Sequence, residues 1–304
     1  MFKFWRKKLP VAFNDGYIDS GDGHKVYFHE YGNKNGDAIL VFHGGPGNYS
    51  KPKHAALFNL KKYRVILFDQ RGSGKSTSDD KYKNNTTQGI INDAKAILDT
   101  LQIKTVKIVS GSWGSTLALV FAEQYPEIVS KMVLNSVFLG RKQDIKWISN
   151  GTKLFYPDLY QYIKVEPEED FMRWNYEHIF SDSIEEQNLA TKKFGSYERN
   201  LGSLTPYISK EYEPSQEHRD GFRLYMHYLY NNLFLSDNQI LDNVSKIKNI
   251  PITIVHNRID MITPLEGAWD LHLALPKSQI VIVDDLGHGT PKQMEIVKQI
   301  VNNI

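Results

Sequence analysis

The 304-residue chain contains no cysteine. That excludes disulfides, thiolate metal sites and a cysteine nucleophile, and it fits a reducing compartment, so a cytoplasmic location is expected. Long hydrophobic runs are also missing. No stretch approaches the ~18 apolar residues of a membrane-spanning helix, and no membrane association is expected. The first ten residues, Met1 to Pro10, are basic and aromatic but have no apolar segment of the kind a secretory signal needs. A net excess of one sign of charge is missing too. The formal net charge is +2, which gives no electrostatic case for binding nucleic acid. Internal repeats and low-complexity tracts are absent. The remainder is ordinary for a globular protein: 41% hydrophobic and 24% charged, with enough length for one large domain or a core carrying an insertion.

Short β-branched-rich runs recur at Ala38–Phe42, Val65–Phe68, Val106–Val109, Met132–Leu134, Ile252–Val255 and Ile280–Val283. Helix-period stretches lie between several of them, as at Asn92–Leu101 and Leu117–Tyr125. This alternation predicts an α/β fold: a mostly parallel sheet with helices on both faces. Gly16–Tyr31 reads instead as an antiparallel hairpin turning at Asp22-Gly23. The alternation stops near Gly140 and resumes near Ile250. Within the gap, residues 147–234 hold 18 of the 37 aromatics and carry a local net charge of −5. The spacing predicts core over 1–140, an inserted helical cap over 141–240, and core again over 241–304. A polar part of the cap, Glu185–Gln216, is expected to be mobile.

The densest chemical signal is Val109-Ser110-Gly111-Ser112-Trp113-Gly114-Ser115. A strand-like run enters a cluster of small residues and a helix-like run leaves it, which is the layout of a nucleophile elbow centred on Ser112. Gly114 satisfies the need for a small residue at +2. Position −2 is Ser110 rather than glycine, still a small residue. A serine hydroxyl needs a base, normally a histidine oriented by a carboxylate. In sheets of this type the chain order is Ser, acid, His. Asp260, beyond the run at 252–255, and His288, flanked by glycines beyond the run at 280–283, fit that order. Asp284 and Asp285 are rival acids, but they lie too close to His288 in sequence to reach across its ring without a tight fold-back. Two backbone N–H groups must hold the oxyanion. Trp113 supplies one, and the loop His43-Gly44-Gly45-Pro46-Gly47 the other. Asp69-Gln70-Arg71-Gly72-Ser73-Gly74-Lys75-Ser76 fails the spacing of a phosphate loop and reads as a buried polar turn bracing the site.

These stretches resemble the prolyl aminopeptidase (proline iminopeptidase) family of serine peptidases within the α/β-hydrolases. HGGPG at 43–47, DQRGSGKS at 69–76, Asn84-Asn85-Thr86-Thr87, GSWGSTLAL at 111–119, HNRID at 256–260 and Gly287-His288 carry the resemblance. It implies an α/β-hydrolase fold, no cofactor or metal, and release of an N-terminal residue, typically proline, from small peptides. It likewise implies Ser112, Asp260 and His288 as the triad and Gly45 and Trp113 as oxyanion donors. The family has Gly where Ser110 and Asn257 stand, and usually Arg where Lys75 stands. Members also grip the substrate ammonium with cap glutamates. One follows a W-x-x-W-E-like string, for which Phe171–Glu177 is the candidate, making Glu177 the expected ligand. The other position falls on Tyr225, so one anionic partner is lost. Phe138 is expected on the substrate side as well. Two competing readings remain: an esterase, amidase or lactonase acting on an uncharged acyl group, and a binding protein on a hydrolase scaffold. Carboxylates near Ser112 favour the peptidase, an apolar tunnel the esterase.

Overall fold

The apolar runs become strands because their side chains alternate between two buried faces of one sheet. In the computed structural model, which describes residues 9–164, 171–202 and 213–304, β1 (Asn14–Asp19) and β2 (His24–Gly32) form the antiparallel hairpin. Next come β3 (Asp37–Val41), α1 (Pro52–Ala55), β4 (Tyr63–Phe68), the two-residue β5 (Thr77–Ser78), α2 (Thr87–Thr100), β6 (Val106–Ser112), α3 (Trp113–Gln124) and β7 (Val129–Val137). Between β7 and the next strand lie α4 (Lys142–Ser149), α5 (Pro157–Ile163), α6 (Phe171–Ile179), α7 (Ile184–Leu201), α8 (Gln216–Tyr230) and α9 (Gln239–Asn243). The chain then returns through β8 (Ile252–Ile259), α10 (Leu265–Ala274), β9 (Gln279–Leu286) and α11 (Pro291–Val301).

The sheet runs β1-β2-β4-β3-β6-β7-β8-β9, with β5 paired to β2. β1 and β2 are antiparallel to their neighbours, and every pair from β4 to β9 is parallel. Val65, Ile66, Leu67 and Phe68 are all fully buried, as a strand covered on both faces requires. Ile66, Phe68, Leu40 and Ile108 meet α2 and α3 in one core cluster. Val65, Leu67, Ile39 and Val109 meet Ala55 of α1 and Val297 and Val301 of α11 in the other. No helix of the described residues is long and apolar enough to cross a membrane.

The polar stretch from Glu185 begins not as a mobile loop but as the 18-residue α7. Of its eight buried residues, Gln187, Ala190, Thr191, Phe194, Tyr197 and Leu201 recur at helical spacing. Ser183 caps it, accepting from Glu186 N. Residues 203–212 of the same stretch lie outside the described residues. Phe194 packs against Phe171, Phe222 and Tyr225 and so joins α7 to α6 and α8. Two contacts fix α8 to the core. His227 and Tyr228 hydrogen-bond Asn85 at 2.7 and 2.5 Å. Gly47 meets Gly221 so closely that a Cβ on Gly47 would lie 2.1 Å from the Gly221 carbonyl.

Candidate active site

Ser112 sits at the junction of β6 and α3 with φ 56° and ψ −134°, a conformation that L residues occupy at a cost of about 1–3 kcal/mol. The turn is held by close approach on both sides. A Cβ on Gly114 would lie 2.2 Å from the Phe42 carbonyl, so +2 must be glycine. Ser110 at −2 is 3% exposed, and its hydroxyl accepts from Phe42 N at 3.0 Å. The departure from glycine there adds a hydrogen bond between β6 and the start of the glycine loop. Ser115 donates to the Ser112 carbonyl at 2.6 Å and closes the first turn of α3. Trp113 is the first residue of that helix, so its N–H has no partner within the helix.

The glycine loop lies directly against the serine. A Cβ on Gly44 would stand 3.5 Å from Ser112 Cβ and 3.9 Å from its Oγ. Gly45 has φ +135°, open to glycine alone. A buried network sets the loop. His43 Nδ1 donates to the Gly44 carbonyl at 2.8 Å, and its Nε2 accepts from Gln70 N at 3.1 Å. Gln70 also spans from the His43 carbonyl to the Trp113 indole, at 2.8 and 3.0 Å. Burial holds the His43 pKa below the usual histidine value, so it serves as a neutral strut. The 69–76 turn is the brace its composition suggests. Asp69 accepts from the Ser50 and Lys75 backbone at 2.8 Å each, and Arg71 forks onto Asp93 at 2.6 and 2.8 Å.

Asp260 and His288 meet at 2.8 Å through Oδ2 and Nδ1. Asp260 Oδ1 accepts from the Ile262 and Thr263 backbone at 3.0 and 2.9 Å, which orients the carboxylate. Burial raises the Asp260 pKa most, but the His288 imidazole, His256 and the Thr263 N–H together outweigh it, and the net position is below the ordinary carboxylate value. For His288, burial lowers the pKa, yet Asp260, with a smaller push from Glu198, carries it above the ordinary histidine value. With Nδ1 donating to Asp260, Nε2 is left to accept. Ser112 and His288 line one cavity, and no hydrogen bond joins them among the described residues. Such bonds tighten when substrate binds. The rival acids are engaged elsewhere: Asp284 with Arg258 at 2.9 Å, Asp285 with Thr290 at 2.6 Å. Asn257, another departure from the family's glycine, donates to the Gly287 carbonyl at 2.8 Å and steadies the His288 loop.

The cavity measures about 1560 Å³. Of the three residues expected on the substrate side, only Tyr225 lines it. Glu177 lies on the outer face of α6, its side chain 63% exposed and 4.0 Å from Arg173. Phe138 is 6% exposed in the core, its backbone tied to Ser115 and Thr116 at 3.0 and 2.6 Å. The acid of the cavity that interacts with His288 is instead Glu198 on α7; Asp15, Asp69, Glu217 and Asp220 line the cavity as well. Tyr225 hydrogen-bonds to Glu198, and burial pushes both groups above their ordinary pKa values. The signal was present: Phe194-Gly195-Ser196-Tyr197-Glu198 keeps the aromatic-x-x-aromatic-Glu spacing more closely than Phe171–Glu177 does. Among the described residues no group of three or more His, Asp or Glu could hold a metal ion.

Known proteins resemble this chain over most of its length. A family model described as alpha/beta hydrolase fold matches residues 37–291. A proline iminopeptidase of Arabidopsis thaliana is 35% identical over 290 residues, 91% of this chain and 75% of that protein. A probable proline iminopeptidase of Leptolyngbya boryana is 33% identical, covering 92% of this chain and 89% of its own. Among solved structures, an alpha/beta hydrolase from a Medee basin deep-sea metagenome library superposes with TM-score 0.61 at 19% identity, over 91% of this chain and 93% of that one.

Proposed function

Because this chain belongs to the proline iminopeptidase family of α/β-hydrolase fold proteins, we propose that it releases N-terminal proline from short peptides. In this reading the Ser112 hydroxyl attacks the first peptide carbonyl while His288 Nε2 takes its proton. Asp260 holds the imidazole and stabilises the charge it gains. The backbone N–H groups of Gly45 and Trp113 hold the oxyanion. His288 then returns the proton to the leaving amine, and a water repeats the cycle to free the acyl group. Glu198 binds the substrate ammonium in a charge-assisted hydrogen bond. The cysteine-free sequence suits a cytoplasmic peptidase.

One observation carries the reading: a carboxylate, Glu198, lines the cavity that holds Ser112 and His288. An esterase for uncharged acyl groups gains nothing from a buried acid there. The neighbouring Tyr225 is a neutral donor, its pKa pushed well above the ordinary phenol value. The amine site thus has one charge, and discrimination for a free amine is weaker than with two. The deciding assay is a panel of aminoacyl-naphthylamides beside p-nitrophenyl esters. Prolyl-naphthylamide should be the best amide substrate. Hydrolysis of esters without any free-amine amide would replace this reading with the esterase.

A further inference from the structure

The cavity is larger than recognition of one residue requires, about 1560 Å³ against ~300–1,000 Å³ for small-ligand sites. Its walls reach along the sheet edge to β2. Ser112 ends β6, and Tyr27 of β2 stands at the same edge, its carbonyl accepting from Asp69 N just past β4 at 2.9 Å. The order β2-β4-β3-β6 places three strand spacings between them, roughly 14 Å. An extended peptide covers that span in about four residues.

Both signs of charge line the cavity, and the ammoniums of Lys51 and Lys75 lie toward β2. Glu198 is near His288. At the β2 end, Lys75 Nζ lies 4.5 Å from the Tyr27 ring centre and donates to its hydroxyl at 3.2 Å. Lys51 Nζ lies 4.4 Å from the Tyr49 ring centre and has no carboxylate partner among the described residues. All four of these residues line the cavity. Four further acids line the cavity: Glu217 in the first turn of α8, Asp220, which pairs with Lys81 and Arg223 at 3.2 and 3.1 Å, Asp69 and Asp15. Asp69 is spent on Ser50 and on the Lys75 backbone, and Asp15 accepts from the Tyr27 hydroxyl at 2.9 Å. Tyr27 holds the Lys75 pKa above its usual value, so the ammonium keeps its charge at neutral pH.

We propose that Lys51 and Lys75 form a subsite for the C-terminal carboxylate of a peptide of about three to five residues, whose ammonium sits at Glu198 and whose first carbonyl lies over Ser112. The inference rests on the aminopeptidase reading, which puts the leaving peptide on the side of Ser112 away from Glu198. A carboxylate that reaches these ammoniums gains a charge-assisted bond without displacing an ion pair of Lys51. The cavity then selects length: a dipeptide falls short of the lysines, and a long chain must leave through the mouth.

The test is release of proline from Pro-Gly peptides of two to seven residues, each as free acid and as C-terminal amide. The free acid should exceed the amide in kcat/KM by about fivefold or more at three to five residues, since charge-assisted bonds are worth that or more. The preference should shrink in high salt, because this end is partly exposed. Replacing both lysines, Lys51→Gln with Lys75→Gln, should bring the acid-to-amide ratio close to one, and Lys51→Arg with Lys75→Arg should restore it. An acid-to-amide ratio within twofold at every length overturns the subsite, as does a ratio unmoved by the double glutamine variant. Rapid prolyl-naphthylamide turnover with that flat ratio removes the subsite alone. Ester hydrolysis with no peptide cleavage removes the subsite and the aminopeptidase reading together.

Discussion

The core and the cap solve different problems, and their sequences show it. The core presents three chemical groups at the ends of β6, β8 and β9, where strand register fixes each backbone to within a residue. Its motifs are local because the strain is local: a serine at φ 56° with a glycine at +2, a histidine between glycines at φ +119° and +63°. The cap instead presents Glu198 and Tyr225 from two helices that meet through aromatic packing. No single turn of chain demands a special residue there. Reaction chemistry is therefore written in short strings, and recognition in the face a helix happens to bury.

The sharpest way to break this comparison is at the serine. Ser112→Ala should lower kcat by about 10⁶-fold with an unaltered unfolding transition, as loss of a triad nucleophile does. Activity within tenfold of the parent would mean the elbow is only a tight turn. The next largest effect separates two cap acids. Glu198→Gln should lower kcat/KM for free-amine substrates by about 30- to 100-fold, the worth of a charge-assisted bond, and for N-blocked esters by less than about threefold. Glu177→Gln should change both by less than about twofold, since its side chain is 63% exposed. Equal effects of Glu198→Gln on both substrate types would remove its part in amine reading.

The strand runs, the hairpin at Asp22-Gly23 and the meeting of Asp260 with His288 were legible because period-two burial and glycine-bounded turns leave marks within a few residues. The roles of Ser110 and Asn257 were half legible. Each looks like a lapse from glycine in sequence, yet each donates or accepts a bond that holds a site loop. Glu198 was hidden for another reason. The polar surface of α7 masks a buried stripe that only the 3.6-residue period reveals, and two stretches of the cap offer an aromatic string ending in glutamate. Choosing between them needs the packing of Phe194 on Phe222 and Tyr225, a contact made across elements. Phe138 shows the converse: an apolar residue just after β7 reads equally well as pocket wall or core, and in the structure its side chain joins the main core cluster and does not line the cavity.

A smaller effect joins the two regions. Catalysis needs neutral His288, whose pKa lies above the usual histidine value under Asp260 and, to a lesser degree, Glu198. The acid limb of kcat/KM for an ester substrate should therefore fall above pH ~6.5. Glu198→Gln removes one anion and should move that limb to lower pH, whereas Glu177→Gln should leave it in place. A limb that ignores Glu198→Gln would show that cap and core are electrostatically separate.

The smallest effect contrasts two buried acids. Glu198 has a partner and a cavity. Glu123, on the α3 helix that the elbow begins, has neither: it is 6% exposed, and its Oε1 has no hydrogen-bond partner among the described residues. Burial pushes its carboxyl up to about 8, with Lys246 opposing. The folded pKa thus lies above the unfolded one, so the folded state binds the extra proton. Stability from this group is full below pH ~4.5 and declines as pH rises toward about 8. Glu123→Gln mimics the protonated form at every pH. Its unfolding free energy should match the parent near pH 5 and exceed it at pH 9 by on the order of 2 kcal/mol, read from urea melts at both values. A constant difference between the two proteins across that range would mean that Glu123 finds solvent or a partner in solution and carries no cost. An increment that grows with pH would mark it as a buried acid of the core with no ligand to meet, unlike its counterpart in the cap.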